Sequence, residues 1–399
     1  SSSIPELPLR TWNTVSDGIK IPQIKKDVPI LFGAPGLVKA ATCWHLNVDI
    51  FGGAFFMLSR YEELTSAELD EHNRFPAYAS IASKSGFLDR PLVNEYLEIL
   101  WSCIQELWGS DYCLVRKQRK FRKMVSCDVD HPIDHAGYYL GRTIRRVIAR
   151  LIRDKIPYLA MLDFLNYLFK KLGSDRFDSC LNNVYWMMRV NKKVGNIVAF
   201  YFIPVQTNTL YEDDNSILSP QIRGLIDDIV RSGHEVGIHP GYDTYNNEDR
   251  FNDSVSTFKS LFDNSLKFSQ GKIGGRQHYL RYDIGVTPKL WEANGFSYDS
   301  SLGYADRSGF RAGSCYEYVM YDLIGRRPLK LKQRPLIAMD CSVISKGYEG
   351  LEVTDLAKNR FKQLENICKE YQGDFTLLWH NSFFSDGKSK KLYLELLGV

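Results

Sequence analysis

From residue 123 onward the chain alternates between short apolar runs and longer amphipathic stretches. MVSCDVD (124–130), NIVAFYFIP (196–204), EVGIHP (235–240), KIGGRQHY (272–279), GFSYDSSL (295–302), LIAMDCSV (336–343) and DFTLLWH (374–380) have the length and composition of strands. Between them, SPQIRGLIDDIVRSG (219–233) has helical periodicity and closes on Gly233, where a helix C′ glycine belongs. LEVTDLAKNRFKQLENICKEYQG (351–373) is a second helix of this kind. Strand–helix alternation predicts a parallel sheet, open or closed into a barrel. Residues 138–195 carry additional helical material, read as an insertion after the first strand.

Residues 1–120 follow a different pattern and are expected to form an N-terminal α+β domain, with 121–399 as the second domain. PILFG (29–33) and VDIFGGAFFMLSRYEEL (48–64) hold strand-like apolar runs punctuated by glycine. The charges of SRYEEL are placed on a solvated face. RPLVNEYLEILWSCIQELWG (90–109) predicts an amphipathic helix whose apolar stripe is Leu97, Leu100, Ile104 and Leu107. The basic run RKQRKFRK (116–123) reads as a solvated connection into the first strand.

Composition changes this picture little. With 44% hydrophobic and 25% charged residues the chain is that of an ordinary globular protein, and a net charge of +4 is too small to argue for nucleic acid. The eight cysteines contain no C-x-x-C pair, which argues against a zinc ribbon or a disulfide framework and suits a reducing, cytoplasmic compartment. No apolar stretch reaches the roughly 18 residues of a membrane span. SSSIPELPLR shows no secretory signal pattern. Oligomeric state is left open.

The chemistry concentrates where strands are expected to end, the place at which α/β folds carry their working residues. SCDVDHPIDH (126–135) supplies Asp128, Asp130 and His131; other ends supply His239 to Asp243, Arg276 to Arg281, Tyr298-Asp299 and His380-Asn381. With a period of two, Asp128 and Asp130 share one face of the strand and Val129 points away. Adjacent carboxylates repel unless a shared proton or a cation resolves them. A divalent metal held by one, leaving the other as a base, is an economical solution.

The order of these motifs resembles the polysaccharide deacetylases (NodB-type, carbohydrate esterase family four), over residues 123–399. The tracts RQHYLR (276–281), GFRAGSC (309–315) and LLWHNS (377–382) are similar to a subgroup with an extra N-terminal domain. The resemblance implies a distorted (β/α) barrel and metal-dependent removal of an acetyl group, N-acetyl before O-acetyl, from a sugar or glycan of bacterial surface polysaccharide metabolism. It implies one divalent metal ion, zinc first, with manganese, cobalt, iron or nickel as alternatives. Asp128 would be the base, Asp130 and His239 metal ligands, and His380 the general acid. Arg276 would orient Asp128, and the Tyr279 amide would help form the oxyanion hole. His278, Arg281, Asp299 and Arg311 would contact substrate. The family's second metal histidine, four residues after the first, is replaced here by Asp243, so the third ligand is Asp243 or, alternatively, His131. That departure also leaves room for a catalytically silent, metal-free glycan-binding protein on the same scaffold.

Overall fold

The computed structural model describes residues 4–40, 43–109, 112–213, 216–261, 273–384 and 386–399; Lys272, at the start of the expected strand 272–279, lies outside them. Four strands come first: β1 (Arg10–Trp12), β2 (Val28–Ile30), β3 (Gly33–Lys39) and β4 (Trp44–Val48), paired antiparallel as β1–β2 and β3–β4. Nine further strands form a mixed, mostly parallel sheet. They are β5 (Arg122–Val129), β6 (Val198–Phe202), β7 (Glu235–Ile238), β8 (Gly274–Gly275), β9 (Tyr298–Asp299), β10 (Tyr318–Asp322), β11 (Arg327–Gln333), β12 (Ala338–Met339) and β13 (Asp374–Leu378). Their order is β10-β11-β9-β8-β7-β6-β5-β13-β12. Chain contacts divide the protein into two compact units, residues Ser1–Met124 with Tyr279–Leu377, and Val125–His278 with Leu378–Val399.

In the first unit, an apolar core gathers Trp12, Val28, Ile30, Val48, Phe56, Met57, Tyr96 and Ile99. Three local expectations are corrected here. The glycine-punctuated run after Val48 is a helix, Ile50–Ser59, because Asp49 caps it by accepting the Gly52 amide at 2.7 Å. Gly53 lies so close to the Tyr96 ring that a Cβ there would sit 2.7 Å from it. The charges of SRYEEL are not solvated: the Arg60 side chain is fully buried and Glu62 and Glu63 nearly so. The helix Leu92–Trp108 forms as expected, but it buries Leu92, Val93, Tyr96, Ile99 and Cys103 and leaves Leu97 exposed. Tyr96 decides that rotation. Its hydroxyl donates to the Pro29 carbonyl at 2.7 Å and accepts from the Leu31 amide, tying the helix to β2.

In the second unit β5, β6, β7 and β8 run parallel, with Asp128 opposite Tyr201, Tyr201 opposite Gly237 and Ile238 opposite Gly275. A Cβ on Gly275 would fall 1.8 Å from the Ile238 carbonyl, so this strand crossing requires glycine. Helices Pro220–Arg231 and Glu248–Ser260 bury Ile222, Leu225, Ile226 and Ile229, and Phe251, Val255 and Phe258. Between β5 and β6 stand three helices, Leu140–Ile152, Pro157–Lys171 and Ser179–Lys193. None of the eight cysteines, all of them among the described residues, forms a disulfide. Among the described residues, no helix is long and apolar enough to cross a membrane.

Candidate active site

Backbone hydrogen bonds between neighbouring strand ends stack the polar residues of the second unit. The His239 amide donates to Phe202, the Arg276 amide to Ile238, the His278 amide to Pro240 and the Trp379 amide to Ser126. Each strand therefore delivers its next residue to the same end. Asp128, the penultimate residue of β5, is 2% exposed, and Arg276 Nη1 donates to its Oδ1 at 2.7 Å and to Ser126 Oγ at 3.0 Å. Arg276 itself is wholly buried and lies over the Tyr201 ring. A carboxylate fixed in this way keeps one oxygen for other work.

Three imidazoles turn toward Asp130. His239 Nε2 lies 3.3 Å and His278 Nε2 3.8 Å from Asp130 Oδ1, and His380 Nε2 lies 3.8 Å from Oδ2. His239 Nε2 is also 3.7 Å from Asp128 Oδ2, so both carboxylates of β5 face one ring nitrogen. The other nitrogen of two rings is committed. His239 Nδ1 meets the Arg276 carbonyl at 2.5 Å, and His278 Nδ1 meets Glu212 Oε1 at 3.0 Å. Both partners only accept, so Nδ1 carries the proton in each ring and Nε2 is left facing a carboxylate. A proton or a metal cation on Nε2 makes that contact favourable. In the protonated form, burial pushes the Asp130 carboxyl up, but the His239 hydrogen bond and the charges of His278 and His380 outweigh it and hold Asp130 far below the carboxylate range. Burial likewise lowers His239, and the charges of Asp128 and Asp130 reverse that and raise it. One ligand atom each from Asp130, His239 and His278 lie within 4.8 Å of one another, and this set can hold a metal ion.

The structure brings His278, rather than Asp243, beside Asp130 and His239. Spacing of four returns a residue to the same side only on a helix, and no helix begins until Glu248. Asp243 Oδ2 instead accepts from Arg250 at 3.0 Å and Asn208 at 3.2 Å. His131, the alternative, pairs through Nδ1 with Asp213 at 2.6 Å, a contact that raises its pKa. Four of the expected residues belong to the first unit. Tyr279 holds a left-handed conformation (φ 61°), and its carbonyl accepts from Arg74 at 3.0 Å. Arg281 Nε donates to the His72 carbonyl, and Asp299, fully buried, accepts from the Ser301 amide. Arg311 is 1% exposed, with Nε and Nη2 both donating to Glu63.

Glu212 is a member of this cluster that pattern reasoning missed. It is buried, accepts the amides of Thr207, Asn208 and Tyr242, and orients His278. Burial raises its carboxyl, but the His278 bond and charge and the backbone donors outweigh this and lower it.

Residues 8–109 match a family of unknown function, DUF7033. No curated protein matches the sequence. Among solved structures, the chain is similar to a protein from Mycobacterium smegmatis described as a candidate polysaccharide deacetylase. That similarity has 14% identity and a TM-score of 0.46, covering 71% of this chain and 85% of that one.

Proposed function

We propose that the chain is a metal-dependent hydrolase that removes an acetyl group from a sugar or glycan, N-acetyl in preference to O-acetyl, on a distorted (β/α) barrel of the polysaccharide-deacetylase type. One observation carries this reading: the Nε2 atoms of His239, His278 and His380 turn toward Asp130, beside a second carboxylate, Asp128, that Arg276 binds and orients. Asp130, His239 and His278 would hold the ion, and two imidazoles with a carboxylate suit zinc. When bound, such a cation supplies Lewis-acid polarisation of the acetyl carbonyl and makes water more acidic.

The chain's own residues handle the protons. Asp128 accepts one from the attacking water, with its second oxygen fixed by Arg276. His380, whose side chain is 16% exposed and so reaches solvent, returns a proton to the departing amine or alcohol. Glu212 keeps His278 in the tautomer that leaves Nε2 available. Eight cysteines without a disulfide fit work in the cytoplasm, on precursors of bacterial surface polysaccharide.

The test is metal analysis of protein purified without chelator, joined to acetate release from N-acetylated and O-acetylated sugars. One equivalent of divalent metal is expected, and it is lost in His239→Ala. Asp128→Asn and His380→Ala should keep the metal and lower turnover by about 10²- to 10⁴-fold, the usual worth of acid–base catalysis. Parent protein that binds no metal, or His380→Ala that turns over at the parent rate, defeats the assignment.

A further inference from the structure

The helical insertion is built inside out. In the helix Leu140–Ile152 the buried residue is Thr143, while Leu140, Ile144, Ile148, Leu151 and Ile152 are 46 to 73% exposed. In the helix Pro157–Lys171 the buried residues are Ala160, Asn166 and Lys170, while Tyr158, Met161, Phe164 and Leu168 are 40 to 62% exposed. The exposed apolar positions recur at three and four residues, so each helix shows solvent one continuous apolar stripe. The polar side chains turned inward pair with one another and with neighbouring residues. Asp134 takes Arg146 and Asn166, and Lys170 takes Asp175 and Asp178. The two helices pack on each other, so their outward stripes belong to one hairpin. Exposed apolar surface of this extent in a globular protein marks an interaction site.

Charge identifies the partner. Residues 139–172 hold eight Lys and Arg against two Asp, a net +6, where the whole chain carries +4 and the remainder therefore −2. Both acids are already paired, Asp154 with Arg150 and Arg153, and Asp163 with Arg146 and Arg150. Among the described residues, no carboxylate pairs with Arg142, Arg145, Lys155 or Lys171. A second copy of the chain on this face would set positive charge against positive charge. Helices of 13 and 15 residues are too short to span a bilayer, which takes about 20. An apolar stripe edged with unpaired cations and with Tyr139 and Tyr158 at its ends has the make-up of a helix that lies in a membrane interface.

We infer that the hairpin of residues 139–172 docks on an anionic lipid surface, with its apolar stripes entering the headgroup–acyl boundary and Arg142, Arg145, Lys155 and Lys171 at the lipid phosphates. This inference does not depend on the proposed chemistry.

Co-sedimentation of the full chain with vesicles tests it. Binding is expected to vesicles of phosphatidylcholine mixed with phosphatidylglycerol, weakening with added salt, and little to phosphatidylcholine alone. Neutralising Arg142→Gln, Arg145→Gln and Lys155→Gln should lower the partition coefficient about five-fold per charge. The surface pair Ile144→Ser and Ile148→Ser should abolish sedimentation while the far-ultraviolet circular dichroism is unchanged. The inference is overturned if the parent does not sediment with the mixed vesicles, or if the charge-neutralised chain binds them as the parent does. It is also overturned if light scattering finds a dimer that the serine pair dissolves, since a second copy would then own the face.

Discussion

Glu212 and Asp213 are neighbours in the chain and hold different histidines. Asp213 meets His131, whose side chain is 43% exposed, whereas Glu212 is buried behind His278 and anchored by three backbone amides. Only the second pair stands directly behind a candidate metal ligand. Glu212→Gln should therefore weaken metal binding by about 10- to 100-fold, the usual effect of losing the partner that orients a ligating histidine. Asp213→Asn should leave it nearly unchanged. Competition titration against a chelating dye separates the two; equal losses would mean that the orienting role is misplaced. Nothing in the run Tyr211-Glu-Asp-Asp reveals this difference, because consecutive acids in a loop read as a solvated charge run whichever of them turns inward. His278 was visible as a polar strand-end residue, yet its place beside Asp130 depends on how two loops turn, which local spacing does not record.

At the scale of elements, periodicity was informative where side chains are amphipathic and misleading where they are not. The strand ends at Asp128, His239 and Arg276 were legible because a short apolar run stops at polar residues. The helix Ile50–Ser59 was hidden because it is apolar nearly all round, and its cap, Asp49, is a single residue. The helix Leu92–Trp108 shows the subtler failure. Counting aliphatic residues alone picks Leu97, Leu100, Ile104 and Leu107, whereas the aromatic Tyr96 turns the helix toward the core by bonding β2. The observed rotation makes a contrast that urea unfolding can check. Ile99→Ala empties a fully buried site and should cost about 2–5 kcal/mol. Leu97→Ala, at an exposed position, should stay within about 0.5 kcal/mol. Equal costs would return the helix to the face that the aliphatic pattern favours.

For the whole molecule, local pattern reads elements but not which distant elements share a core. Glu63 and Arg311 are 248 residues apart, yet Arg311 Nε and Nη2 donate to Glu63 at 2.9 and 2.7 Å, and Arg60 Nε donates to the same carboxylate at 2.7 Å. All three side chains are at most 4% exposed. Burial pushes the Glu63 carboxyl up, but the charges of Arg311 and Arg60 outweigh this and lower it. Its stabilising contribution is therefore complete above the unfolded glutamate value of about 4.3 and fades as the pH falls through the lower folded value. Glu63→Gln removes the charge and leaves Arg311 without it, while Arg60 keeps Glu62 at 2.6 Å. Breaking a buried pair in this way costs about 3 kcal/mol. Unfolding in urea over a series of pH values should show that gap at neutrality, and the gap should close progressively below about pH 4 as the parent's own Glu63 protonates. A gap that stays constant into acid would mean that the variant acts through lost packing rather than through the charge.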